Sequence, residues 1–538
     1  MPQVGSLAYI KPDSYTKKPE RHVDPDRTPW DRVAFLWGDP VYVISSHGSE
    51  VKVSAKGHHL MIPKAKLMDT PLLHVYQIDC GQGDAALVQF PDMRWMVVDG
   101  GPPRQQGWTN TGKIAFDFLK WKIYRDYSWR TEFGFDPVLG TVSAEPKPFH
   151  IDSVVISHPD YDHYGGLHEL PDKIREVDPA ERITVGTVYH CGLGRFSGPA
   201  TAFANGKGMS QLGPVRGGTL PEAYVTTLLD GFSDVRKYRT KSGGRDYKLS
   251  GDYASWLKDL ESLEGGGVAE LKRLHHGTNG GYVPGWEQGQ DLAIRILGPV
   301  QESWNGKPAL RYIDTASESS MSKPSKTRNG QSIVLRLDYG DARILLTGDL
   351  NFRSQAVLLK HVPDHEFASH VVKACHHGSE DVSWKFLRAT DPVAVMISSG
   401  DNESHAHPRA KVLGWSGAFA RPIQSGKDKS YLDLTEANYR SPLIYSTELS
   451  RLVQLWEPRA VWEPRDDGYL HRVDDPRIQP RGRKLSHPDS EEATPMGRWL
   501  LADRLIYGLI NVRTDGDRVV MGVMKENGRG FQVESFRV

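Results

Sequence analysis

Positions 157–166 read Ser-His-Pro-Asp-Tyr-Asp-His-Tyr-Gly-Gly, placing His158, Asp160, Asp162 and His163 within six positions of one another. Imidazole and carboxylate are the side chains that hold divalent cations in hydrolases. Four of them on a loop leaving a strand end can converge on one small volume. Gly165 and Gly166 follow and are expected to let the backbone turn sharply into a helix. Further chemistry-bearing residues recur downstream: Asp349 in LLTGD, His376 and His377 in KACHHGS, and His405 and His407 in HAHPRAKVL.

To act together these loops must leave strand ends. HVYQIDC, WMVVDGG, DSVVISH, RITVGTVYH, DLAIRILGP, QSIVLRLDYG, ARILLTGD and VAVMISSG read as strands. GKIAFDFLKWKIYRD, YASWLKDLESL and SWKFLRAT carry apolar residues at helical spacing. Strands interleaved with helices over more than half the chain predict an α/β architecture. The tail from Gly508 reads as closing antiparallel strands, with turns at Asp515-Gly516 and Asn527-Gly528. Residues 1–30 read as a flexible or surface-docked lead-in and 31–70 as a small β module. The remainder, 71–538, reads as one large domain with insertions at about 195–330 and 415–500.

At the level of whole blocks the chain resembles the metallo-β-lactamase fold, and most closely the soluble hydrolase domain of ComEC-type DNA-uptake proteins. The resemblance rests on SHPDYDHYGG, where Asp160 stands in place of the usual second His, and on QIDCGQGDAALVQF with VVDGG. It extends to NGQSIVLRLDYGDARILLTGD, KACHHGS and HAHPRAKVL, in that order. It implies a four-layer αββα sandwich with insertions. Trp37–Leu67 resembles a bacterial SH3-like barrel; a hairpin packed on the main domain is the alternative.

The resemblance also implies two divalent metal ions, zinc or manganese. His158 and Asp160 would hold the first; Asp162, His163 and His377 the second; Asp349 would bridge them. The third protein ligand of the first metal is open between Asn329, which stands where the usual His is missing, and His190. A carboxylate at Asp160 hardens that site and makes manganese a competitor of zinc. Asp84 and Asp99 are candidates to accept the second N–H of a metal-bound imidazole, or else cap turns.

Two cations about 3.5–4 Å apart can share a hydroxide, lower its pKa and offset charge on a phosphoryl oxygen. The expected reaction is therefore phosphodiester hydrolysis through a metal-bridging hydroxide positioned by Asp349. The catalytic candidates are Asp162, Asp349, His376 and His407, the two histidines contacting phosphate or protonating the leaving oxygen. Ser379 and Arg195 are candidate anion contacts; the pair His275-His276 is read as lying outside the site, and the basic run 477–484 as weak support for a polyanion.

Composition bounds these readings. The 538 residues carry 67 Lys+Arg against 67 Asp+Glu, so the balance does not point to a protein that coats nucleic acid by bulk positive charge, while a local basic groove stays open. Metal-binding carboxylates whose charge cations cancel keep a phosphodiester substrate open. With only 3 Cys, no CxxC pair, no signal-like leader and no bilayer-length apolar run, a soluble cytoplasmic protein is expected. A nuclease acting on DNA or RNA leads. A small-molecule ester, thioester or phosphodiester hydrolase is the alternative, and a binding protein with a degenerate site a third. The N-terminal module offers a contact for a protein partner, as in a bacterial defence effector; the oligomeric state is left open.

Overall fold

The computed structural model describes residues 2–12, 33, 35–103, 115–198, 201–204, 207–217, 222–243, 245–313, 324–400, 407–419, 421, 423–424, 439–440, 443–447, 461–464, 470–473, 505–507, 509–524 and 531–538. His405, the turn at Asn527-Gly528 and the basic run 477–484 lie outside them.

Two large sheets organise the chain. In the first, nine strands run in the order Val268–Arg273, Ile183–His190, Phe149–Ile156, Trp95–Gly100, Ala85–Gln89, Leu73–Gln77, Ile510–Thr514, Arg518–Met524 and Phe531–Arg537. The first four are mutually parallel, and the rest are antiparallel. Seven strands form the second sheet: Leu292–Gly298, Val334–Tyr339, Ala342–Leu346, Val371–Lys373, Ala394–Ile397, Leu443–Ser446 and Leu505–Tyr507. Its first three strands are antiparallel, and pairing is parallel from Ala342–Leu346 onward.

Period-two alternation assigns the faces. Val75, Val88, Met96, Val98 and Val155 of the first sheet share one buried cluster with Ile294, Leu335, Ile344, Val371 and Met396 of the second. The opposite face of the first sheet, with Leu87, Val97 and Val154, packs on Phe116, Leu119, Leu170, Trp256 and Leu257. Those residues belong to the helices Ala115–Trp121, Leu170–Ile174 and Asp252–Glu261. In the last of these Tyr253, Trp256, Leu257 and Leu260 recur every three or four residues, and each large apolar side chain contributes roughly 1.5–3 kcal/mol on burial. On the far side Leu345 and Val372 pack on Leu358 and Phe386, and Val395 and Ile397 on Leu387 and Val412. Helices Phe352–His361, Trp384–Thr390 and Ala410–Phe419 supply those contacts. Helices thus pack on one face of each sheet, and the other faces share a buried cluster.

A separate antiparallel sheet of five strands spans Leu7–Met68 around its own cluster of Ala8, Ile10, Val41, Val43, Val53 and Leu60. Its first strand, Leu7–Ile10, falls inside the stretch expected to be lead-in; four residues are too few to show a period. Two insertion boundaries also shift. Within 195–330 a six-stranded sheet (Thr201–Val225 and Gln301–Arg311) is the addition, whereas Val268–Arg273 and Leu292–Gly298 are strands of the two main sheets. Within 415–500, Leu443–Ser446 belongs to the seven-stranded sheet. Val268–Arg273 and Leu443–Ser446, short and surrounded by polar sequence, carry little signal by themselves, whereas Leu292–Gly298 lies where DLAIRILGP reads as a strand.

Candidate metal centre

Parallel strands from both sheets end at one edge, and open α/β sheets place their ligands beyond the carboxyl ends of such strands. The loop after Phe149–Ile156 delivers Ser157 to His163, the loop after Ala342–Leu346 delivers Asp349, and the loop after Val371–Lys373 delivers His376 and His377. Backbone bonds lock these loops together: Ile333 N–H to the Ser157 carbonyl (2.9 Å), His376 N–H to Gly348 (3.1 Å) and Asp84 N–H to Asp162 (3.2 Å). Directly after Asp349, Asn351 and Ser354 form a capping box that starts helix Phe352–His361 and fixes the direction of this loop.

Gly165 and Gly166 act differently from expectation. Gly165 has φ −60°, ordinary helical geometry. A Cβ on Gly166 would sit 2.0 Å from the Gly100 carbonyl oxygen, so the need is close packing rather than a left-handed turn. Left-handed backbone occurs instead at His376 (φ 47°), His377 (φ 53°) and Asp99 (φ 58°). Such conformations cost about 1–3 kcal/mol each and cluster at functional sites.

Asp162, His163, Asp349 and His377 form the centre, each offering a ligand atom within 4.8 Å of the others. Asp349 Oδ2 lies 3.3 Å from His163 Nε2 and 3.2 Å from His377 Nε2; His377 Nε2 lies 3.4 Å from Asp162 Oδ2. Except for the partly exposed Asp162, all are buried. His163 Nε2, His377 Nε2 and Asp349 Oδ1 have no hydrogen-bond partner although buried. Native interiors rarely leave such atoms unmet, and together they make a group that could hold a cation. Two imidazoles and two carboxylates are a donor set that suits zinc or manganese.

The surrounding residues fix which ring nitrogen faces inward. His163 Nδ1 donates to Asp99 Oδ2 (2.9 Å), and Asp99 in turn accepts from the Ser157 N–H and hydroxyl (both 2.7 Å). His377 Nδ1 donates to the Ser398 carbonyl (3.1 Å), with Asp84 Oδ1 at 3.2 Å. Lys373, buried in its strand, pairs with Asp84, donates to the Gly348 carbonyl (3.0 Å) and lies 3.7 Å from Asp349 Oδ1. Asp84, Asp99 and His163 also form a group of ligand atoms within 4.8 Å. The two carboxylates there orient the imidazoles of the centre.

The charges follow from this packing. Burial disfavours an imidazolium at His163, but the carboxylates of Asp349 and Asp99 overcome it and hold the pKa well above the ordinary value. At His377 burial is likewise outweighed, by Asp349 and Asp84. Burial would raise Asp349, and the charges of His377 and His163 instead hold it well below the carboxylate range. His158, by contrast, is pushed well below its ordinary value by burial, aided by neighbouring His163.

His158 and Asp160 occupy the adjoining corner. The His158 and His163 rings are 4.0 Å apart, His158 Nδ1 contacts the Ser157 and Ser332 hydroxyls (3.1 and 3.3 Å), and its buried Nε2 is unpartnered. Asp160 Oδ2 lies 3.8 Å from that nitrogen. The Asp160 carboxylate, however, is already engaged. Arg328 Nε binds Oδ1, and the Asn329 amide abuts Oδ2; turned with its nitrogen inward, the orientation that sets no acceptor against an acceptor, it donates to Oδ2 (2.9 Å) and to the Ser325 carbonyl (2.7 Å). Burial pushes the Asp160 carboxyl up, and Arg328 pulls it back only in part.

His190 ends the neighbouring strand, is buried with both ring nitrogens unpartnered, and is pushed down to about 3 by burial and then by Arg273. It joins no group of three ligand atoms among the described residues. His376, partly exposed, has Nε2 3.7 Å from Asp349 Oδ2. Its ring is 5.7 Å from that of His407, which contacts Gln82 (3.2 Å). Ser379 Oγ accepts from the Asp381 N–H (3.3 Å), and Arg195 is exposed. His275 and His276 accept backbone N–H groups from Gly277 (3.1 Å) and Gln301 (3.2 Å).

Sequence reasoning missed Arg328 and the role of Lys373. A lysine inside the apolar run VVKAC was the available signal for the second; nothing marked the first. A cleft of about 800 Å³ lined by Arg295, Arg336, Asp338, Arg343 and Glu366 contains none of the ligands. There Arg336 is held by Asp338 (2.7 Å) and Glu366 (3.0 Å).

Two curated proteins are similar to parts of this chain. ComE operon protein 3 of Bacillus subtilis (strain 168) is 32% identical over 88 residues, 16% of this chain and 11% of that protein. Competence protein ComA of Neisseria gonorrhoeae is 29% identical over 170 residues, 28% of this chain and 23% of that protein. The chain thus spans less than a quarter of the length of either relative. No family model matches. Among the described residues no helix is long and apolar enough to cross a membrane.

Proposed function

We propose that this chain is a metal-dependent hydrolase of the metallo-β-lactamase type that cleaves phosphodiester bonds, with nucleic acid, DNA first, as its substrate. The observation that carries the reading is the convergence of unpartnered buried atoms on His163, His377 and Asp349 beside Asp162. Similarity to two competence proteins supports DNA over a small molecule.

A divalent cation held by Asp162, His163, Asp349 and His377 would supply polarisation of a phosphoryl oxygen and a lowered pKa for water. The chain's own residues do the rest. Asp99 and Asp84 keep the imidazoles in one tautomer and rotamer, so no reorganisation is needed when substrate arrives. Asp349 contributes the carboxylate facing both imidazoles. His376, at the exposed edge, is placed to give a proton to the leaving oxygen, with His407 packed beside it. The N-terminal sheet, with its own core, is the surface through which a protein partner recruits the enzyme, as in a defence effector.

The test is incubation of the purified chain with labelled single- and double-stranded DNA and RNA and with bis-p-nitrophenyl phosphate, in Mn²⁺, Zn²⁺ or EDTA. An Asp162→Ala/His163→Ala double variant is the control. Cleavage of DNA that requires metal and is lost in the control is expected. Turnover of the small diester alone would reassign the substrate, and turnover of neither would refute the hydrolase reading.

A further inference from the structure

Two metal ions require two sets of open ligands, and only one set is open. At the corner shared by His158 and Asp160, one buried nitrogen, His158 Nε2, is unpartnered. Both oxygens of Asp160 meet N–H donors, Arg328 on Oδ1 and, with its amide nitrogen turned inward, Asn329 on Oδ2, and the fixed guanidinium charge beside this carboxylate opposes a second cation there. Asn329, at the position where a third ligand was expected, therefore serves as a donor holding Asp160. His190, the other candidate, joins no ligand group. A single free imidazole does not retain a divalent ion against water; structural and catalytic sites use three or four protein ligands.

Arg328 brings a fixed positive charge to the same corner. Its side chain is 16% exposed, and its two terminal amino groups make no hydrogen bond to any described residue. Asp160 holds the Nε edge and so orients the guanidinium fork. A fork anchored in this way presents its remaining N–H groups to a planar or tetrahedral oxyanion with little loss of rotamer freedom.

We propose that the centre holds one metal ion, at Asp162, His163, Asp349 and His377, and that Arg328 stands where a second would be, binding a phosphoryl oxygen of the substrate. The phosphoryl half of this proposal rests on the phosphodiester reading, whereas the metal count does not.

The full-length chain is stripped with chelator and reloaded with Mn²⁺ or Zn²⁺. Bound metal is counted by mass spectrometry, and inorganic phosphate binding to the loaded protein is measured by calorimetry. Wild type is expected to hold one ion per chain. Arg328→Met/Asn329→His, which frees Asp160 and adds an imidazole, is expected to hold two. Arg328→Met alone should weaken phosphate binding on the order of 10- to 100-fold, the worth of a charge-assisted hydrogen bond, and Arg328→Lys, which keeps the charge but loses the fork, should fall between. The lysine variant also serves if the methionine variant does not fold. Two ions in wild type, one ion in the double variant, or unchanged phosphate affinity in Arg328→Met would each overturn the proposal. Metal counts as expected without cleavage of any phosphodiester would instead refute the substrate reading.

Discussion

Asp160 and Asp162 lie two residues apart on one loop, yet their surroundings are opposite. Asp160 is closed by a guanidinium and an amide. Asp162 faces His377 Nε2 beside two further buried atoms that have no partner. Burial penalises both carboxylates, but only Asp162 ends below its ordinary pKa, through His377 and His163. Buried polar groups are normally satisfied; where several unmet ones converge, as here and not at His190, they form a group that could hold a cation. A shared motif therefore does not give its members equal roles, because the elements that approach the loop from elsewhere decide them.

The contrast is broken most strongly at the open half. His163→Ala or Asp349→Ala should abolish metal binding and, by removing several kcal/mol of transition-state stabilisation, cut phosphodiester turnover on the order of 10³-fold. Asp160→Ala should leave the metal count unchanged, which equilibrium dialysis would read directly. Next in size is the support layer. Asp99→Asn removes the acceptor that orients His163 and should weaken metal affinity about 10- to 100-fold, whereas Asn329→Ala should not change it.

The pH dependence sharpens the same contrast. With their pKa values held high by neighbouring carboxylates, His163 and His377 carry protons that a metal must displace. Metal affinity should therefore climb with pH through the ordinary imidazole range and beyond it, with proton release seen in buffers of different ionisation enthalpy. His158, held neutral by burial, contributes nothing to that slope. A flat affinity across this range would break the account. The smallest effect belongs to His190. Its ring makes no hydrogen bond, so His190→Leu should leave metal binding unchanged and stability unchanged or raised, as a thermal melt would show.

Much of the scaffold was legible because it rests on period-two strands. The strands around Val75, Val97, Val154, Leu335 and Ile344 appear where alternating or continuous apolar runs put them. The closing meander turns at Asp515-Gly516, where Gly516 has φ 98°. Short pieces such as Leu7–Ile10 and Leu443–Ser446 escaped because they owe their place to neighbours rather than to their own pattern. For the centre, spacing pointed to Asp162 and His163 as residues able to converge. It could not show that Arg328, 168 residues from Asp160, closes that carboxylate. Such a contact depends on tertiary approach, which no local window contains.

The most direct test is anomalous scattering at the manganese edge from crystals of the chain grown with Mn²⁺. The account predicts one peak per chain, bounded by Asp162, His163, Asp349 and His377. A peak between His158 and Asp160, or no peak at the four residues, would contradict it.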